Sequence, residues 1–257
     1  PGSSFSAPHV SGSVALLIQA ARERKLAGYN LTFVDSNGIV EPRAIKAALL
    51  TSANKNIKVK QEGYRTWQTA GPNQPLDHAL GAGGLDALEA YKVMLAIDSV
   101  ESGVDVSLRK TLLDNIGWIE GGSSTATLDI GGYPAGTEII VSLVWNGHYD
   151  NILEGIQLNN LDLRLLRDDQ EIAASTSSVD NVEHIWFTTQ QAGNLSLEVQ
   201  FTDHESGITE LEPFALSYKI NTTGVLGDFN FDRKVDFIDL AYLSQQWLTS
   251  VPLLEEA

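Results

Sequence analysis

Between residues 125 and 220 six short segments, 125–130, 138–145, 161–166, 183–188, 195–201 and 214–220, alternate apolar with polar residues. They are separated by turn-forming clusters such as Gly131-Gly132 and Asp180-Asn181. A period of two puts successive side chains on opposite faces of a strand, so this region predicts an antiparallel β-sandwich or jelly roll over about residues 99–224. Outside it the period changes. Val10, Val14, Leu17, Ile18 and Ala21 recur at helical spacing behind Pro8, and Ile45, Ala48, Leu49 and Ala53 follow Pro42. Helices are therefore predicted over about 7–26, from 42 to 53, and over 85–96 after the glycine cluster Gly81, Gly83 and Gly84, with Pro8 placed in a first turn where its missing donor costs nothing. Strands ahead of these helices would make residues 1–98 an α/β block. Asn221, Thr222, Thr223 and Gly224 read as a linker into a third segment, 225–257, with a loop–helix pattern.

Charge divides at the same places. Residues 1–98 carry a net +2, residues 99–224 a net −14 and the last 33 residues a net −4, within a total of −16 over 257 residues. Such a field repels phosphate backbones and argues against a nucleic-acid partner, while favouring bound cations. No apolar run approaches the roughly 20 residues that cross a bilayer, and 43% apolar residues suffice for a core, so the chain reads as soluble and globular. The absence of cysteine removes disulfides, thiolate catalysis and cysteine-ligated zinc together. No signal-peptide pattern opens the chain, and Pro1 stands directly beside a chemically dense motif, so the expectation is a piece of a longer protein.

That motif is Gly2-Ser3-Ser4-Phe5-Ser6-Ala7-Pro8-His9-Val10-Ser11-Gly12. A serine hydroxyl is a weak nucleophile until a base takes its proton, and a helix N-terminus beside it supplies backbone donors for developing negative charge. The run closely resembles the serine signature of subtilisin-like peptidases, with Ser4 at the nucleophile position and Ser3 where the family usually has Thr. The resemblance extends through Pro42 to Ala53 and through Gly81-Ala82-Gly83 with Asp86-Ala87, about residues 1–98 in all. It implies a partial subtilisin-like α/β domain acting on polypeptide substrates, Ser4 as the catalytic residue, its backbone amide as one oxyanion donor, and secretion or surface display by a bacterium. In that family the triad order is Asp, His, Ser, so the first two members lie ahead of the serine. His9 is only five residues from Ser4, and His78, His148, His184 and His204 have no carboxylate at a telling spacing. None reads as a replacement base, and the chain alone is expected to be inactive.

Leu161-Asp162-Leu163-Arg164-Leu165, Asp180 to Ile185, Ala192 to Leu195 and Phe214 to Tyr218 resemble, more loosely, the pre-peptidase C-terminal sandwiches attached to such enzymes. Trp145 and Trp186 are expected to fill the sandwich core rather than stack on sugars, and Trp118 is weighed with them. Asp150, Asp162, Asp168, Asp169 and Asp180 read as solvated turn carboxylates.

From Asp228 the sequence places Asp228, Asn230, Asp232, Asp236 and Asp239 at loop positions 1, 3, 5, 9 and 12, with the Lys234 carbonyl at position 7. Hard oxygen donors at that spacing wrap a calcium ion. The run resembles one dockerin-type, EF-hand-like repeat followed by a helix over 238–247 with Leu240, Leu243 and Trp247 as its apolar stripe, although Arg233 stands where the sharp turn usually has glycine. The resemblance implies calcium as cofactor and a cohesin-like or cell-surface partner. The function read from the whole is part of a secreted serine endopeptidase. The alternative is a non-catalytic attachment fragment working through the sandwich and the calcium module.

Overall fold

Residues 138–145 depart from the alternation read for them: six of the eight are apolar, because the strand they form is covered on both faces. The computed structural model that shows this describes residues 3–59, 63–69, 71–97, 99–101, 105–117, 124–150, 155–203 and 211–223, together with Phe237, Leu240 and Ala241. In chain order the elements are helices α1 (Ser3–Leu26) and α2 (Pro42–Ser52), strands β1 (Asn56–Val59) and β2 (Gly63–Thr66), and helix α3 (Ala87–Met94). Strands β3 (Ser99–Glu101), β4 (Asp105–Gly117), β5 (Ser124–Tyr133), β6 (Glu138–Trp145), β7 (His148–Asp150) and β8 (Gly155–Gln157) follow. After them come β9 (Asn160–Arg167), β10 (Gln170–Ser175), β11 (Val182–Thr188), β12 (Gly193–Asp203) and β13 (Leu211–Thr223).

Two antiparallel sheets, ordered β10-β9-β12-β5 and β11-β6-β13-β4-β3, face each other. Ile139, Val141, Leu143 and Trp145 from β6 meet Leu161, Leu163 and Leu165 from β9 and Leu195, Leu197, Val199 and Phe201 from β12 in one core. Each fully buried aliphatic side chain there contributes about 1.5–3 kcal/mol through removal from water. The predicted sandwich is thus present, and its strand segments fall where alternation placed them. Strand β4, which carries charged residues at intervals, and strand β10 were not predicted. β10 joins β9 through Asp168 and Asp169, both left-handed (φ 49° and 63°), the conformation a tight two-residue hairpin turn needs.

Residues 1–98 depart further from expectation. Among their described residues the strands are the antiparallel hairpin β1–β2, and the segment ahead of α2 makes only an isolated bridge between Val34 and Val40. The strands expected to make this block α/β are not among the described elements. Helix α1 begins at Ser3, so Pro8 lies beyond its first turn and cannot donate to the Ser4 carbonyl. Helix α3 starts after Asp86, whose carboxylate accepts from the Glu89 amide at 2.9 Å. The presumed linker is also strand: Asn221, Thr222 and Thr223 pair with Ser107, Val106 and Asp105. Thr222 and Thr223 are β-branched and extend the pairing instead of breaking it.

The five-stranded sheet has a second cover. Small residues on α2, among them Ala44, Ala47 and Ala48, are fully buried and let this helix lie against β6 and β13, while α3 lies against β4. Val144, Val182 and Ala215 from the sheet join Leu17, Ala21, Ile45, Val93 and Met94 from the helices in a second apolar cluster. Gly83 fixes the turn beside this layer. Its φ is +130° and an added Cβ would stand 2.3 Å from the Asn54 carbonyl oxygen, so only glycine fits.

Candidate functional site

Ser4 sits in the first turn of α1 and is exposed. The first amides of an α-helix have no intrahelical acceptor and, with the helix dipole, favour negative charge beside them. A hydroxyl here is therefore accessible and lies beside the free amides of the helix start. Among the described side chains of α1 the first two turns are exposed, and burial begins at Ser13, Leu17 and Ala21, four residues apart along one stripe. Val10 and Val14 line an apolar groove of about 450 Å³ with Ile45, Leu49, Leu50 and Leu85, and Leu16 and Leu88 are 65% exposed.

Among the described residues no histidine is hydrogen-bonded to Ser4. His9 lies exposed on α1, its carbonyl accepting from the Ser13 hydroxyl at 2.9 Å. His148 has a carboxylate partner brought to it by the fold: its Nε2 lies 2.7 Å from Glu212, a fully buried residue that also accepts from Asn159 at 2.8 Å. These partners are 64 and 53 residues apart in the chain, so spacing could not reveal them. His184 Nδ1 lies 2.8 Å from the Ser142 hydroxyl and its Nε2 2.6 Å from Lys55 Nζ. The Ser–His pair resembles a nucleophile and base only in composition, because Ser142 is wholly buried and His184 is 3% exposed. Substrate has no path to it. Burial and the Lys55 charge hold the His184 imidazole well below its usual range, and burial lowers Lys55 to about 7.

Trp145 lies in the core as expected, its indole N–H donating to the Asn159 carbonyl at 2.8 Å. Trp186 does not. It faces the helical layer, edge-on to Trp67 with centroids 5.9 Å apart, and donates to Glu138 at 2.7 Å. Trp118 lies outside the described residues. Of the turn carboxylates, Asp168 accepts from the Asn194 amide and Asp180 from the Ser177 hydroxyl. Asp162 is no solvated turn residue: it is buried on β9 near Arg164, and that burial raises its carboxyl above the usual range. Glu183 on β11 is fully buried, accepts from Ser175 and from the Ser177 amide, and is pushed by burial up to about 8. The calcium-loop residues Asp228, Asn230, Asp232, Lys234, Asp236 and Asp239 lie outside the described residues, as do Leu243 and Trp247. Leu240 is helical and 57% exposed.

Residues 1–83 match the model of the subtilase family, a match that takes in Ser4, α1, α2 and the Gly81–Gly83 turn. No curated protein matches the chain. Among solved structures the chain is similar to the pre-peptidase C-terminal domain of a Bacillus anthracis collagenase, at 15% identity and a TM-score of 0.27, covering 42% of this chain and 88% of that one. It is similar also to the Yersinia pseudotuberculosis-derived mitogen, at 15% identity and 0.27, covering 42% and 81%. A periplasmic inhibitor of g-type lysozyme from Aeromonas hydrophila gives 15% identity and 0.29, covering 48% and 91%. The described helices include none long and apolar enough to cross a membrane.

Proposed function

We propose that this chain is the nucleophile-bearing part of a secreted bacterial subtilisin-like serine endopeptidase. The observation that carries the reading is the match of residues 1–83 to the subtilase family, with Ser4 exposed in the first turn of the helix that follows the glycine–serine run. Ser4 Oγ attacks the peptide carbonyl, a histidine accepts its proton, and the backbone amide at the helix start stabilises the oxyanion before water releases the acyl group. The family's Asp and His precede the serine, and the residues ahead of Ser4 here hold neither. The chain by itself therefore hydrolyses peptides only at background rate, and the open apolar groove beside Val10 and Val14 is where the rest of a catalytic domain packs. The sandwich is read as a pre-peptidase C-terminal-like module.

The tail is read as a calcium module. Four aspartates, one asparagine and one backbone carbonyl form an all-oxygen donor set that suits a hard cation, held by Asp228, Asn230, Asp232, Lys234, Asp236 and Asp239. When bound, calcium would order the loop against its following helix, and a cohesin-like or surface partner would dock there. Asp228→Ala with Asp239→Ala is expected to abolish calcium-dependent protection of residues 225–257 from proteolysis. Equal cleavage of the parent with and without calcium rejects the assignment.

The catalytic reading is tested with a fluorophosphonate serine probe on this chain and on a version extended upstream. Labelling of the extended form alone, lost in Ser4→Ala, is the expected result. No labelling of either form would favour the attachment role.

A further inference from the structure

Thr51, Ser142, His184 and Lys55 come from α2, β6, β11 and the turn after α2, and they form one hydrogen-bonded line across the seam between helices and sandwich. All four are buried. The direction of the line follows from counting protons. Thr51 Oγ1 lies 3.0 Å from the Ser217 carbonyl, which can only accept, so Thr51 uses its single proton there. Its contact with Ser142 at 2.8 Å then requires the Ser142 hydroxyl to donate. Ser142, its proton spent, accepts from His184 Nδ1–H, which leaves Nε2 bare to accept from Lys55 Nζ. Lys55 also donates to the Ala82 carbonyl at 2.6 Å and lies 4.9 Å from the centre of the Trp67 ring. Each proton is used once, and the imidazole must be the neutral Nδ1–H form.

We propose that this line is an acid-released latch: a proton taken up on His184 Nε2 turns the Lys55 contact into a meeting of two cations, and α2 loosens from the five-stranded sheet while the sandwich stays folded. The surrounding charges relieve that meeting only in part. Glu138 on β6 lies near Lys55 and favours its charged form, while its two oxygens accept from Trp186 and Asn221. Asp86 caps α3, and Glu89 on α3 is held by Arg109 at 2.5 Å and Lys219 at 3.1 Å. Lys46 on α2 lies near Asp180 at the edge of the seam, and Glu183 bonds to Ser175 on the opposite face of β11. Above the release point the latch persists, since an amine that has lost its proton still has hydrogens to donate to Nε2. The lowered His184 and Lys55 titrations agree with this geometry, and release therefore falls on the acid side of the ordinary histidine range. This inference is independent of the peptidase reading.

The test uses the whole chain. Long-range proton–nitrogen correlation at about pH 7.5 is expected to show His184 as the Nδ1–H tautomer, titrating below the ordinary histidine range. Hydrogen exchange, corrected for intrinsic rate, is expected to show protection of residues 42–52 falling roughly tenfold as His184 takes up its proton, while residues 161–166 and 195–201 stay protected. His184→Gln keeps an oxygen for Lys55 and cannot take a proton, so its acid step in residues 42–52 is expected to vanish. An Nε2–H tautomer, loss of protection in helix and sandwich at one pH, or an unchanged step in the Gln variant overturns the proposal. Should that variant not fold, the tautomer and exchange pattern of the unaltered chain decide.

Discussion

The two faces of the five-stranded sheet are built from the same strands yet held by different chemistry. The inner face presents Trp145, Leu143, Phe214 and Leu216 to the opposing sheet and is closed by apolar contact. The outer face presents Ser142, Ser217, Thr111 and His184, and is closed by hydrogen bonds to α2 and to the end of α3 as well as by Val144, Val182 and Ala215. Apolar burial is tolerant of small displacement, whereas a buried polar group must keep its partner or lose about 1–3 kcal/mol. The inner face therefore supplies stability, and the outer face fixes where the helices sit.

Substitutions separate these roles. Trp145→Ala, which empties a wholly buried site, is expected to lower unfolding stability by about 3–5 kcal/mol in urea titration. A loss under about 1 kcal/mol would show that the inner face is not the main store. Thr51→Val keeps the shape and removes the donor to the Ser217 carbonyl, and is expected to cost about 1–3 kcal/mol. If it costs nothing, the seam is closed by its apolar residues alone.

Glu183 sharpens the comparison through pH. Its folded pKa is raised from 4.5 to about 8, so its contribution is fully present below 4.5 and is lost as pH climbs towards 8. The stability difference between the parent and Glu183→Gln should fall by about 1.4 kcal/mol per pH unit across that window, and a flat difference would place the carboxyl in a solvated setting. The smallest effect is expected at Ser4→Ala. Ser4 is exposed, so stability should change by less than about 0.5 kcal/mol while probe labelling of an extended chain disappears.

Much of the sandwich was legible because period-two alternation reports which residues share a face, as at Leu195, Leu197, Val199 and Phe201. β4 was not, since Arg109, Lys110, Asp114 and Asn115 mask its pattern, and Arg109 proves to be a buried partner of Glu89. The Ser4 motif was legible as a string of residue types at fixed offsets. The environment of the helix behind it was not, because what covers a helix lies elsewhere in the chain.

The sequence alone determined the six alternating strand segments, the presence of a helix behind Ser4 and the acidic bias of the sandwich, all of which depend on neighbours within a few residues. Only the tertiary structure decided that the polar side of β6, β11 and β13 is buried, and that His184 meets Lys55 and Ser142 across 129 and 42 residues. The physical reason is that periodicity assigns a side chain to a face but carries no information about what comes to lie on that face.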